Sequence, residues 1–342
     1  MPRFQPPHCP WDACPSRTDS VPFRFQKRGF YSGRQQRRIQ RFWCHGCRRS
    51  FSSQSFKFHY RLKYDRLHLD FWPLVVSKVT LRQSARMLGV DRRTLADRLL
   101  RMGEHARRFH RLRLQEVAAR GGLPGVFQLD ELETFETDRR LQPVTVPVLI
   151  HRAKYFVVHL TAGTLPCRGS LPPRLRKKKE EREKLFGKRR SQSRQGVEAC
   201  LQTLKEVLPP RQPAVLQSDR KKIYPSVLKS VFGAAGFQHL QECSKRKRDR
   251  GNPLFPINHT LAQMRDNLSR LVRRNWGHSK KRSWLRLHMW LWLLWRNYVR
   301  PITAEGEPPT PGMLLGVTSK RWTARELFRW RIFSSSDLPD LQ

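Results

Sequence analysis

The stretch "GVFQLDELETFETD", residues 125–138, decides how this chain reads. Val126, Phe127 and Leu129 form the apolar run of a strand, and then five acids crowd into nine residues: Asp130, Glu131, Glu133, Glu136 and Asp138. The chain around them carries 69 Lys and Arg against 27 Asp and Glu, a formal charge of +42. An acidic run in so basic a protein needs a cause, and a second stretch supplies it. "AVLQSD", residues 214–219, is another short apolar strand that ends in an acid, Asp219. Carboxylates at the ends of two strands repel each other unless a divalent cation sits between them. The expected site is therefore a hard-cation centre, Mg²⁺ or Mn²⁺ on Asp130 and Asp219, where a phosphodiester is polarised and a water or hydroxyl is activated for in-line attack. Side chains alternate along a strand, so Asp130 shares a face with Leu132 while Glu131 and Glu133 share the other. Asp130 is taken as the inward acid and Glu131 as a supporting or salt-bridging residue. Glu136 and Asp138 are read as acids that solubilise or cap a loop.

Outward from these two stretches the pattern is mixed α/β. "VTVPVLI" and "YFVVHLTAG" read as strands joined near "HRAK", and "QGVEACLQTLKEVLP" reads as the helix that leads to the second acid-ended strand. The helix "INHTLAQMRDNLSRLV" carries Ile257, Leu261, Met264, Leu268 and Leu271 on one stripe. Asp266 falls opposite that stripe, and Asn258 falls at its flank, where a residue can look into a site between helix and sheet. "SWLRLHMWLWLLWRNYVRP" puts Leu287, Leu291, Leu294, Trp295 and Tyr298 on one face of a helix that closes the core. Two basic segments, "CRGSLPPRLRKKKEEREKLFGKRRSQSRQG" and "SKRKRDRGNP", are too polar to add to a core and read as clamps on a substrate backbone. The tail from Thr303 reads as a linker ending in a short helix around Thr323 to Trp330, with no chemistry assigned.

Four of the seven cysteines form two close pairs, Cys9 and Cys14 in "CPWDAC" and Cys44 and Cys47 in "CHGC". Two tight turns that each offer paired thiolates make the tetrahedral sulfur cage preferred by structural Zn²⁺. His8 and His45 are substitutes, each beside a cysteine, and Cys167, Cys200 and Cys243 read as ordinary thiols. Between the pairs, basic and aromatic residues alternate in a way that suits a ribbon with one phosphate-binding face. Next comes "TLRQSARMLGVDRRTLADRLLRMG", residues 80–103, a helix-turn-helix pattern. Ala85 permits close approach, Gly89 allows the turn, Asp91 caps the second helix, and Val90, Leu95 and Leu99 supply core. Arg92 to Arg101 is then the expected recognition helix, with Arg92, Arg93, Arg98 and Arg101 outward toward double-stranded DNA.

So strong a positive charge calls for a polyanionic partner, and nucleic acid is the obvious one. Membrane is not expected as a partner, because "MWLWLLW" is far shorter than the roughly 20 residues of a spanning helix. The start, "MPRFQPPHCPWD", lacks the apolar core of a secretory signal. A cytoplasmic, nucleoid-associated location without disulfides is expected.

The order of cysteine ribbon, helix-turn-helix, "LDELETF", "LQSDRKKIYPSVLK" and "INHTLAQMRDNLSRLVRRNWGHSKK" resembles insertion-sequence transposases of the DDE type, from about Cys9 to about Pro301. The resemblance implies a ribonuclease-H-like catalytic core, catalytic aspartates at Asp130 and Asp219, and a homo-oligomer, because two element ends must be joined. It divides the chain into a zinc ribbon (1–58), a helix-turn-helix domain (59–120), a catalytic domain (121–303, with the basic insertion 168–195) and a linker and tail (304–342). The third acid of the family lies on the helix after the last strand, where this sequence has Asn258. Three readings stay open: a working Asp, Asp, Asn centre, compensation by Glu242 as the third ligand, or a decayed enzyme that survives as a DNA-binding regulator.

Overall fold

The structure is a computed structural model that describes all residues except 1–3, 12, 18–21, 34–37, 244, 248, 273–276, 278, 304–305 and 333–342. Positions 34–37 of the ribbon and 244 and 248 of the second basic segment thus lie outside the described residues. Contacts divide the chain into two units, residues 1–70 with 323–342, and residues 71–322.

In the first unit, β1 (Phe25–Ser32), β2 (Arg38–Cys44) and β3 (Ser50–Ser52) form a three-stranded antiparallel sheet. Its core is small, with Phe42, Phe51 and Phe56 packed on the buried Cys9, Cys14 and Cys44. Residues from the far end of the sequence complete this unit. The short helix α10 (Ala324–Leu327) is held by a capping box between Thr323 and Glu326. Beyond it Trp330 bridges to Lys57 and stacks on Phe4 at 5.5 Å, while Phe328 tilts against Phe58 at 5.1 Å. The expected short helix is present, and the segment after it is a structural part of the ribbon.

The second unit begins within α1 (Leu67–Val75) and continues through α2 (Leu81–Leu88) and α3 (Arg92–Ala119). Thr80 and Gln83 form a capping box at the start of α2. Gly89 ends it with φ +63°, a left-handed conformation that glycine adopts without a Cβ penalty. Asp91 then caps α3 by accepting from the Arg93 amide at 2.7 Å. The turn is thus built as the sequence requires, but α3 runs on for 28 residues and packs along α8 (Arg282–Tyr298). Gly103 marks the closest approach, where a Cβ would sit 2.7 Å from Leu287 Cβ.

A mixed sheet forms the centre of this unit, with strand order β6-β5-β4-β8-β9 and β7 paired beside β5. The strands are β4 (Val126–Phe135), β5 (Pro143–His151), β6 (Phe156–Leu160), β7 (Gly163–Thr164), β8 (Ala214–Asp219) and β9 (Phe237–Glu242). β4, β5 and β6 form an antiparallel meander, whereas β8 joins β4 in parallel and β9 joins β8 in parallel. Parallel neighbours need crossovers, supplied by α5 (Ser193–Val207) before β8 and α6 (Tyr224–Phe232) before β9. The basic α4 (Pro173–Phe186) has no buried residue. α7 (Phe255–Asn267) docks on the sheet, and α8, which is buried along nearly its whole length, follows and reaches β6, where the Asn297 side chain bonds the Val157 backbone. The short α9 (Pro311–Leu314) follows it.

Candidate functional site

The register of β4 and β8 brings Asp130, which lies in the middle of β4 and not at its end, beside Asp219, the last residue of β8. Their parallel ladder pairs Val126 with Val215 and runs to Leu129 opposite Ser218. The next residues on the two strands are Asp130 and Asp219. Their shared face is fixed by two glutamines two residues back, since side chains alternate. Gln128 donates to Gln217 Oε1 at 2.8 Å and to the Pro253 carbonyl at 2.7 Å, and it accepts from the Ile257 amide at 3.0 Å. Asp130 and Asp219 therefore lie on the face covered by the start of α7, and both are half-buried. Asp130 accepts from the Glu131 amide at 2.7 Å, and Asp219 accepts from the Lys221 amide at 3.2 Å.

Glu242 stands opposite Asp219 in the ladder of β8 and β9, so β8 and β9 end in acids at the level where β4 carries Asp130 in mid-strand. Its carboxylate is engaged by Gln217 at 3.1 Å and by Arg246 at 3.6 Å. Asn258 follows Ile257 on α7, a turn of 100° from the helix face that docks on Gln128. His259, a further 100° round and so nearly opposite the docked face, lies edge-on to Tyr155 in the turn between β5 and β6 at 5.8 Å. Asn258 is half-buried on the flank of α7, and its side chain has no hydrogen-bond partner among the described residues. Asp266 is on the solvent side, paired with Lys78 at 3.3 Å.

Glu131 points to the other face of the sheet. Its side chain is only 4% exposed, and Lys221 Nζ lies 2.7 Å from it. Ser193, the first residue of α5, donates to the same carboxylate at 2.7 Å, as does Thr145 of β5. The salt-bridging part assigned to Glu131 thus has four elements in it: β4, β5, α5 and the turn after β8. Tyr224, at the start of α6, is buried beside this cluster. Burial, and after it the charges of Glu131, Asp130 and Asp219, hold its hydroxyl well above the ordinary tyrosine range.

Two sequence expectations are corrected by the geometry. Arg98 is not outward: it is 4% exposed. It lies three residues after Leu95 and four before Met102, on the stripe that α3 buries, whereas Arg92 and Arg93 are exposed and Arg101 is half-buried. Glu136 is not a solvated loop acid. It is 7% exposed, bound by Arg189 at 2.9 Å and by the Arg282 amide at 2.8 Å, so it ties the basic segment and the start of α8 to the end of β4. Asp138 does cap its loop, accepting from the amides of Arg140 and Leu141 at 3.0 and 3.1 Å.

In the ribbon, Cys9, Cys14, Cys44 and Cys47 form a group whose sulfurs all lie within 4.8 Å of one another. Among the described residues it is the one such cluster of three or more His, Cys, Asp or Glu, so the strand-end acids do not close into a comparably tight set. Sγ of Cys9 and Cys47 are 3.6 Å apart, as are those of Cys14 and Cys44. Four sulfurs around one zinc at about 2.3 Å stand about 3.8 Å from each other. The cluster could therefore hold a metal ion such as zinc. Burial pushes the Cys9 thiol far up, whereas Cys44, despite its burial, is held below its ordinary value by the Cys47 backbone and the neighbouring thiols. A Cβ at Gly46 in the second knuckle would meet the Ser16 hydroxyl oxygen, so a larger residue there would turn the Ser16 side chain. His8 is turned away, its Nδ1 donating to the Cys9 carbonyl at 3.0 Å, and neither it nor His45 belongs to the cluster.

Among the described residues no helix is long and apolar enough to cross a membrane. The sequence matches no protein-family model and no curated protein.

Proposed function

We propose that the chain is a DNA transposase of the DDE type, which binds the terminal repeats of its element and catalyses metal-dependent strand cleavage and strand transfer. The observation that carries the reading is the register that sets Asp130 and Asp219 side by side on the face where α7 docks. An antiparallel meander extended by two parallel strands through helices is also the arrangement of ribonuclease-H-like cores, and it supports the same reading.

In this scheme Asp130 and Asp219 hold Mg²⁺ or Mn²⁺, and the uncommitted Asn258 side chain offers its carbonyl as a neutral third donor. The bound cation supplies polarisation of the phosphodiester and activation of water. Gln128 and Gln217 fix the two strands and the helix from beneath, so the acids are held before substrate arrives. Water attacks the phosphodiester at the element end, leaving a 3′ hydroxyl and a 5′ phosphate; that hydroxyl then attacks a phosphodiester of the target strand and displaces the target's own 3′ oxygen. Zn²⁺ in the four-cysteine cage organises the ribbon, and Arg92, Arg93 and Arg101 at the helix-turn-helix contact the duplex. Two ends must meet, so the active species is a homo-oligomer on nucleoid DNA.

A second reading has a specific observation behind it. Asn258 brings no charge where the family has its third acid, which suits a transposase-derived regulator that binds DNA without cutting it. The deciding experiment is cleavage of DNA carrying the element ends in Mg²⁺ and Mn²⁺, comparing the natural protein with Asp219→Ala and Asn258→Glu. Cleavage lost with Asp219→Ala supports the enzyme. Binding without cleavage, with cutting restored by Asn258→Glu, supports the regulator.

A further inference from the structure

The ribbon carries more positive charge than a structural knuckle needs. From Ser20 to Tyr64 the sequence has twelve Lys and Arg and no acid. On the face of its sheet turned away from Cys44 and Phe42, charges and rings form a zigzag. Trp43 of β2 lies under the guanidinium of Arg28 at 4.2 Å, Arg28 stands directly opposite Arg41 across the strands, and the guanidinium of Arg41 lies over Tyr31 at 5.2 Å. Like charges placed opposite each other on a sheet destabilise it. The ring contacts offset part of that cost, but they bring no negative charge. The Arg28 and Arg41 side chains belong to exposed positions, and Trp43 and Tyr31 are half-exposed. What the face lacks is an anion that also has flat, stackable groups.

We infer that this face of β1 and β2 binds an unpaired nucleic-acid strand, with bases stacked on the Trp43 and Tyr31 positions and phosphates on Arg28 and Arg41. A duplex would satisfy the charges alone, since its bases are stacked on one another and offer no free π-face. An unpaired strand satisfies both the charges and the rings. The inference goes beyond the terminal-repeat reading, which assigns duplex contacts, and it rests on that reading only for the class of partner.

The test uses the full zinc-loaded chain and fluorescence anisotropy with labelled oligothymidylate and with a duplex of equal length. Trp43→Leu should weaken oligothymidylate binding roughly ten- to hundred-fold and leave duplex binding within about two-fold. Equal weakening of both, or no change for oligothymidylate, overturns the inference. Retained zinc confirms that the variant folds, and if Trp43→Leu loses its metal, Tyr31→Leu is judged by the same criteria. The natural protein's duplex arm tests the other reading separately: failure to bind element-end duplex overturns terminal-repeat binding and leaves the oligothymidylate comparison standing.

Discussion

Replacing Lys221 with Met leaves the Glu131 carboxylate inside the protein with hydroxyl partners and no counter-charge. The carboxylate is 4% exposed, and the lost ammonium is 2.7 Å away. Breaking a fully buried pair by removing one member costs about 3–5 kcal/mol. Lys221 is itself 32% exposed, so water screens part of the interaction and can follow into the vacated space. A loss of about 2–3 kcal/mol is expected for Lys221→Met. Glu131→Gln should cost less, about 1–2 kcal/mol, because the amide still accepts from Ser193 and Thr145 and the orphaned ammonium can hydrate. The double variant Glu131→Gln with Lys221→Met should therefore be more stable than the sum of the single losses predicts, by at least about 1 kcal/mol. Urea unfolding of the zinc-loaded protein, followed by far-ultraviolet circular dichroism, measures all three. A Lys221→Met loss below about 0.5 kcal/mol, or strict additivity in the double variant, would refute the claim that this pair clamps the ends of β4 and β8.

The four-cysteine cage predicts one zinc per chain by elemental analysis, and Cys14→Ser should abolish it while leaving the circular dichroism of the larger unit in place. Two buried histidines, His110 and His288, and the half-buried His159 predict acid sensitivity of that unit. Burial lowers His110 to about 4, and lowers His159 and His288 to about 3, below the ordinary 6.5. These folded-state values are depressed, so the unfolded chain takes up protons first. Stability is full above pH 6.5 and falls as the pH drops toward 4, with His110 alone contributing about 3 kcal/mol. A thermal midpoint that stays flat from pH 7 to pH 4.5 would contradict this. Gly103→Ala should lower stability by about 1–3 kcal/mol, because the new methyl meets Leu287 on α8, whereas Gly187→Ala in an exposed turn with no neighbour near the new methyl should not change the packing of α3 and α8.

Much of this architecture was legible because it is local. The two strands that carry Asp130 and Asp219 stand out as apolar runs of a few residues, the cysteine pairs by their spacing, and the turn between α2 and α3 by Gly89 and Asp91. What escaped is non-local. Glu131 finds Lys221 at a separation of 90 positions, and Glu136 finds Arg282 at 146. No window of sequence reveals such partners, so Glu136 reads as a loop acid until the chain is folded. Arg98 escaped for a different reason. Its neighbours Leu95 and Met102 already placed it on the buried stripe, but the basic character of the helix drew the reading outward. The nearness of Asp130 to Asp219 follows from register, which strand patterns alone leave undetermined.

The segment after α10 has a consequence for how the protein is made. Arg331 donates from its amide to the Phe56 carbonyl at 2.7 Å and from its guanidinium to the Ser55 carbonyl, a residue 276 positions earlier. At the usual 5–20 residues per second, a ribosome needs roughly 15–55 s between synthesising the two. The nascent ribbon can take up its metal early, yet Phe56, Phe58 and Phe4 wait for their cover until the last segment emerges. A ribosome stalled in the second unit would therefore hold a metal-loaded but uncovered ribbon, an apolar surface open to chaperones, and the finished seal would report that synthesis has passed Arg331.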